Sequence, residues 1–180
     1  MPEAFSNSVS RGTGAVVTKT NCSVAAGSTE ITVPNNTNIA VGQLIDNQHF
    51  LAGTKVDSIN GTTVNAETGR ESSNSGTASA QVVNFLTKSD AYTSTGTKSI
   101  LVGGTFANNT NNEVELTVHV NDSSAGVTGA LVSKVPIPAG SSFVISDAGK
   151  TVLESGDKVE VYCNTDNALD VNLSILTGVN

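Results

Sequence analysis

Two histidines, two cysteines and a scatter of carboxylates have the greatest chemical reach in this sequence, and their spacing decides what they could do. His49 lies in the polar run Asp46-Asn47-Gln48-His49-Phe50, and His119 in Glu113-Val114-Glu115-Leu116-Thr117-Val118-His119-Val120. A histidine acting as general base needs a nucleophile or a second acid within hydrogen-bond reach. Neither has a glycine-flanked serine elbow, a cysteine nucleophile or a paired carboxylate in a recognisable arrangement beside it. Both read as solvated surface histidines, with His119 pointing outward from a strand. Cys22 and Cys163 lack the spaced companions that zinc requires. They read as two free thiols, Cys163 buried beside Val159 and Val161 and Cys22 more accessible. The run Asn164-Thr165-Asp166-Asn167-Ala168-Leu169-Asp170 comes nearest to a calcium loop but lacks the central glycine and closing glutamate, so it reads as a turn. Tyr92, in a loop, and Tyr162, outward on a strand, are the rings available for a sugar platform in a chain with no tryptophan. Asn-x-Ser/Thr triplets at Asn21, Asn35, Asn60, Asn108, Asn121 and Asn172 are what chance supplies in so Asn- and Thr-rich a chain. No catalytic, cofactor-binding or metal-binding residue is assigned, no cofactor is implied, and no enzymatic activity is expected.

The elements that would carry these residues are strands. Gly, Ser, Thr and Asn dominate the 180 residues, while charged residues are 14% and aromatics 4%. Helical bundles need Ala, Leu, Glu and Lys in bulk, so that architecture is excluded. With 37% hydrophobic residues the chain can still build a core. Glu113 to Val120 alternates polar and apolar as a half-buried strand does, and Lys158 to Cys163 and Asp170 to Ile175 repeat the pattern. Further strands are expected at Ser99 to Phe106, Gly129 to Val135, Ser142 to Ser146 and Thr151 to Leu153, joined by Asn-, Asp-, Pro- and Gly-rich turns. These seven predict an all-β, antiparallel β-sandwich, Ig-like or jelly-roll-like.

The first half has a different texture, with shorter runs at Glu30 to Val33, Gln43 to Ile45, Lys55 to Ile59, Thr63 to Asn65 and Ala78 to Phe85. Asn60-Gly61 predicts a type I′ hairpin between two of them. The segment is small for an independent core and is expected to lean on a neighbour.

Charge narrows the partners. The net charge is −7, from 16 acidic and 9 basic side chains. With no Lys/Arg cluster to offset it, nucleic acid is not an expected partner. No apolar run is long enough for a membrane helix. The first residues show neither the basic nor the apolar region of a signal peptide, so export by that route is not expected.

One ordered series of motifs is more specific. It runs Ser99-Ile100-Leu101-Val102-Gly103-Gly104-Thr105-Phe106-Ala107-Asn108, Val118-His119-Val120-Asn121-Asp122-Ser123-Ser124, Val135-Pro136-Ile137-Pro138-Ala139-Gly140-Ser141-Ser142, Val152-Leu153-Glu154-Ser155-Gly156-Asp157-Lys158-Val159 and Asp170-Val171-Asn172-Leu173-Ser174-Ile175-Leu176. This series resembles a family of small tailed-phage accessory virion proteins, capsid decoration, cement or tail-associated β-sandwiches. Members open with a segment like Phe5 to Gly12 and soon reach a Tyr-Thr turn, whereas Tyr92-Thr93 here comes late. The intervening Gly27 to Val33, Val41 to Ile45, Ala52 to Val56 and Ile59 to Val64 resemble a short β repeat of phage tail and fibre proteins, departing from it at Asp46 to Phe50. The resemblance implies a discontinuous sandwich: 1–20 as N-terminal arm and first strand, 21–86 as an inserted small β module, and 87–180 as the remainder. Two sequential domains with a free arm are the alternative, and Met1 to Gly12 reads as a frayed terminus or an anchoring arm.

The implied role is a non-enzymatic structural protein of a phage virion, assembled in the host cytoplasm, most directly a capsid decoration or cement protein. Expected partners are other virion proteins, the major capsid protein first, and further copies of the chain, with no nucleic acid or membrane. A tail, neck or fibre component and a glycan-binding adhesin module are the alternatives.

Overall fold

The computed structural model describes residues 3–96 and 98–179. Met1 and Pro2, the tip of the expected arm, lie outside the described residues. In chain order the strands are β1 (Ala4–Thr13), β2 (Val16–Val24), β3 (Glu30–Thr32), β4 (Leu44–Asp46), β5 (Val56–Asn60), β6 (Thr63–Ala66), β7 (Ala78–Leu86), β8 (Ser89–Thr93), β9 (Lys98–Asn108), β10 (Val114–Asp122), β11 (Val127–Ile137), β12 (Ser142–Leu153), β13 (Lys158–Cys163) and β14 (Leu169–Val179). The chain is all-β and divides into two compact units, Met1–Gly14 with Ser89–Asn180, and Ala15–Lys88.

The discontinuous unit holds two four-stranded sheets, ordered β1-β14-β9-β12 and β11-β10-β13-β8. Its pairings nest: β1 with β14, β8 with β13, β9 with β12 and β10 with β11, all antiparallel. The β14–β9 and β10–β13 ladders then complete each sheet. A long hairpin folded up on itself in this way is the jelly roll, which settles between the two sandwich types expected. Alternation supplies the core: Leu101 and Phe106 from β9, Leu116 and Val118 from β10, Val159 and Val161 from β13, and Val171, Leu173 and Ile175 from β14 are all buried.

Three expectations about this unit change. Phe5 to Gly12 is neither a frayed terminus nor a free arm, because β1 pairs with β14 from Ala4↔Thr177 to Ser10↔Val171. It buries little apolar surface, so hydrophobic patterning could not announce it. Main-chain pairing holds it, helped by Ser8, whose hydroxyl donates to Ala91 O at 2.6 Å. Ser142 to Ser146 and Thr151 to Leu153 belong to one strand, β12, whose register against β9 shifts between Ser146 and Thr151. Tyr92 lies on β8 rather than in a loop.

The second unit is a six-stranded antiparallel sheet, β4-β7-β2-β3-β6-β5, with a core including Val24, Ile31, Val56, Val64, Val83 and Phe85. It sits in sequence between β1 and β8, and its bounds are 15 and 88 rather than 21 and 86. The difference is β2, which pairs with β7 and β3 instead of joining the jelly roll. The ends of the unit meet at Val16↔Leu86, where Thr87 N donates to Ala15 O at 2.8 Å. Asn21 is well along that ladder, between Lys19↔Val83 and Cys22↔Gln81. The Asn60-Gly61 hairpin forms with Asn60 opposite Thr63, so Gly61 and Thr62 are its central residues. Gly61 alone of the two has positive φ, at 60°, the pattern of a glycine-first II′ turn rather than the expected I′.

Candidate functional site

The motif residues converge on the turns of the jelly roll. Asn108, the last residue of β9, is 2% exposed. Its amide nitrogen donates to Asn112 O, Ile137 O and Pro138 O at 2.8, 2.9 and 3.1 Å. Its Oδ1 accepts from Thr110 N and Thr110 Oγ1, both at 2.9 Å. One side chain thus joins the β9–β10 turn to the Pro136-Ile137-Pro138 segment, where prolines cannot donate and the carbonyls need an outside partner.

A carboxylate does the same between the other two motif turns. Asp157 Oδ1 accepts from Ser123 N at 2.9 Å and Ser123 Oγ at 3.2 Å, and Oδ2 accepts from Glu154 N at 2.8 Å. The β10–β11 turn is itself shaped by Asp122, whose Oδ1 accepts from Ser124 N and Ala125 N at 3.0 and 2.9 Å. The Ala125 N–H and the Ser124 hydroxyl hold the Asp122 carboxyl below its ordinary pKa. The sequence identified both asparagine and aspartate as turn residues without showing that they would be buried connectors. The pairing of distant turns, Asn108 with Pro138 and Ser123 with Asp157, needs the tertiary fold.

Two side chains of the calcium-like run, Asn164 and Asp170, already have partners. Asn164 Oδ1 accepts from Glu115 N at 2.9 Å. Asp170 Oδ1 accepts from Gly12 N at 3.1 Å, and its Oδ2 lies 3.6 Å from Arg11 Nε. The Gly12 N–H, then the Asn109 amide and Arg11, lower the Asp170 pKa. Its folded-state value is depressed, so its stabilising contribution is present above the ordinary carboxylate range and fades as pH falls through the lowered value. Among the described residues, no group of three or more His, Cys, Asp or Glu is placed to hold a metal ion.

His119 and Tyr162 correct the outward placement. They are 4% and 0% exposed and pack edge-to-face with ring centroids 5.2 Å apart. Tyr162 OH donates to Glu160 Oε2 at 3.2 Å, and Thr117, His119, Glu160 and Tyr162 are all buried. Both faces of the central strands β10 and β13 are out of solvent there. Alternation tells one face from the other but not whether the polar face is wet. Tyr162 therefore offers no sugar platform, and half-buried Tyr92 shares a 2.9 Å hydrogen bond with Ser99. His49 is half-buried, in a loop fastened by Asn47, whose side chain donates to Val82 O and accepts from His49 N, while Phe50 enters the core. This is how the run that departs from the fibre-type repeat is accommodated.

Cys22 is also corrected: it is as buried as Cys163, in the core of its own unit. The register shift after Lys19, with Asn21 at φ 55°, turns its side chain inward. Burial pushes both thiols above their ordinary pKa, which suppresses the reactive thiolate. A thiol reagent applied to the native protein should label neither residue until denaturant is added, with no reductant required. Fast labelling of Cys22 would contradict its place in the core.

The picture is of polar side chains committed to joining turns and strands. Comparison of the chain with protein-family models, curated proteins and solved structures finds no match in any of the three.

Proposed function

We propose that this chain is a non-enzymatic structural protein of a phage particle, acting as a capsid decoration or cement protein on the head. The observation that carries the reading is the fate of the motif series. Asn108, Pro138, Ser123 and Asp157, drawn from four of the five motif segments, are spent on bonds between turns rather than on an open reactive site. A protein whose turns are tied to one another by buried polar side chains suits repeated attachment to a lattice. The jelly roll permits this role without assigning it, since virion and lectin domains share that architecture. The partners in this reading are the major capsid protein and further copies of the chain.

A tail, neck or fibre position is the second reading, favoured by the resemblance of the inserted unit to fibre-type repeats. Imaging purified particles with the protein present and genetically removed separates the two. Density that repeats with the head lattice and vanishes on removal fits decoration. Density confined to a tail or neck ring fits the second reading, and absence from the particle overturns both.

A further inference from the structure

We propose that the outer face of the β1-β14-β9-β12 sheet is the surface through which two copies of this chain pair about a two-fold axis. The ladder registers align side chains in rows across all four strands. Phe5↔Leu176, Leu176↔Ile100 and Ile100↔Val152 form one apolar row. Val9↔Asn172, Asn172↔Thr105 and Thr105↔Val144 form a mixed row, apolar at both ends and polar in the middle, with Asn7, Ser174, Gly103 and Ser146 in a small polar row between the two. Phe5, Val9, Val144 and Val152 are 77%, 64%, 55% and 53% exposed, so these rows end in large apolar groups facing water at both sheet edges. The continuous row Phe5-Leu176-Ile100-Val152, which spans all four strands, marks an interaction surface rather than scattered surface hydrophobes.

Charge and symmetry select a second copy as the occupant. The chain carries −7 overall, yet each end of this face holds an ion pair. Arg11 lies 3.6 Å from Asp170 at one end, and Lys98 lies 3.6 Å from Glu154 at the other. Lys150 lies in the irregular stretch of β12, outside the registered rows. Two faces whose ends each carry both signs of charge meet less repulsion than two wholly acidic ones would. A two-fold axis along the strands, between β14 and β9, exchanges β1 with β12 and β14 with β9 while keeping every row in place. Phe5 then meets the second copy's Val152, Leu176 its Ile100, and Val9 its Val144, each contact occurring twice as an isologous interface demands. Between these rows, Gly103 leaves a shallow depression of about 440 Å³ bordered by Val144, Ser146 and Ser174. The polar rows can meet there without a bulky side chain forcing the sheets apart.

The size also fits. Four strands about 4.8 Å apart and about ten residues long give a footprint of roughly 600 Å², close to the ~800 Å² per partner of a standard interface. Face-to-face sheets settle about 10 Å apart with a crossing of about 30°, within which neighbouring rows stay in reach.

The test is the mass of the full chain in solution by light scattering or sedimentation, with circular dichroism as the check on folding. The native protein should be a dimer at micromolar concentration. Val152→Glu and Val144→Glu, at exposed positions, should keep the β spectrum and raise the dissociation constant about a hundredfold, because each dimer would bury two unpaired carboxylates. Oxidation of a Val9→Cys/Val144→Cys double variant should give a covalent dimer, whereas Val9→Cys alone should not, since the axis places β1 over β12 and not over itself. The native thiols are buried and do not compete. A monomeric native protein, a dimer untouched by either glutamate, or cross-linking by Val9→Cys alone would each overturn the proposal. None of these outcomes bears on where the protein sits in a particle.

Discussion

Gly14→Ala is expected to destabilise the jelly-roll unit by about 3 kcal/mol or more, combining backbone strain with overpacking. Gly14 closes the β1 end of the unit at φ 126°, a backbone conformation that L side chains rarely adopt. A Cβ there would also overlap the main-chain carbonyl oxygen of Thr165 and come within 3.1 Å of Cys163 Cβ. Neither obstacle is the movable tip of a side chain. The carbonyls of Gly14 and Thr13 accept from Asn167 N and Ala168 N at 3.0 and 3.1 Å, so a shift that relieved the overlap would break these bonds. Gly126→Ala, in the same unit, is the matched control: φ is 66° with nothing within 4 Å, leaving only the left-handed penalty of about 1 kcal/mol. Both variants are read by the transition of the jelly-roll unit. Both tyrosines, Tyr92 and Tyr162, belong to the jelly-roll unit and there is no tryptophan, so tyrosine fluorescence follows that unit. A loss at Gly14 no larger than at Gly126 would contradict the close approach to Thr165.

What could be read from the sequence divides along a physical line. β10, β13 and β14 were legible because each fills one face of a common core with Val, Leu and Ile, and alternation records that directly. β1 and β8 were not, because what fixes them is pairing to β14 and β13, and main-chain hydrogen bonds leave no trace in side-chain polarity. The assignment of β2 to the wrong unit has the same origin, since its ladder partner β7 lies more than fifty residues away. Cys22 turns on one local event, the left-handed Asn21, which reverses the face that simple alternation gives to the residue after it. His119 and Tyr162 were placed on the correct face of their strands, but that face is dry. For the turn-joining residues, the sequence identified the turns and the fold supplied the pairs.

Asp157→Ala is expected to cost the jelly-roll unit about 3 kcal/mol, since it removes charge-assisted bonds worth about 1.5–3 kcal/mol each, and part of that loss is regained from water. The carboxylate is 4% exposed and binds two main-chain donors, Ser123 N and Glu154 N, from turns more than thirty residues apart. Alanine leaves both N–H groups without that acceptor, at part-buried bonds where water makes good only part of the loss. The surroundings cannot close over the loss, because Gly156 is held at φ 95° and a Cβ there would already lie 2.7 Å from Ser123 Oγ. The Asp157 backbone is fixed as well, with Ser94 N donating to Asp157 O at 2.8 Å and Gly156 N to Ser94 O at 2.9 Å. Asp157→Asn separates the two contributions. It keeps one oxygen for Ser123 N but presents an NH₂ to Glu154 N, donor against donor, so its loss should fall between alanine and the native residue. Asp122→Ala, in the exposed part of the same turn, should lower stability least, because water replaces the carboxylate for Ser124 N and Ala125 N. Urea unfolding followed by tyrosine fluorescence should therefore rank Asp157→Ala below Asp157→Asn, and both below Asp122→Ala. The opposite order for the two alanine variants would mean that the β10–β11 turn is set by its own Asx geometry and that Asp157 does not join it to the β12–β13 turn.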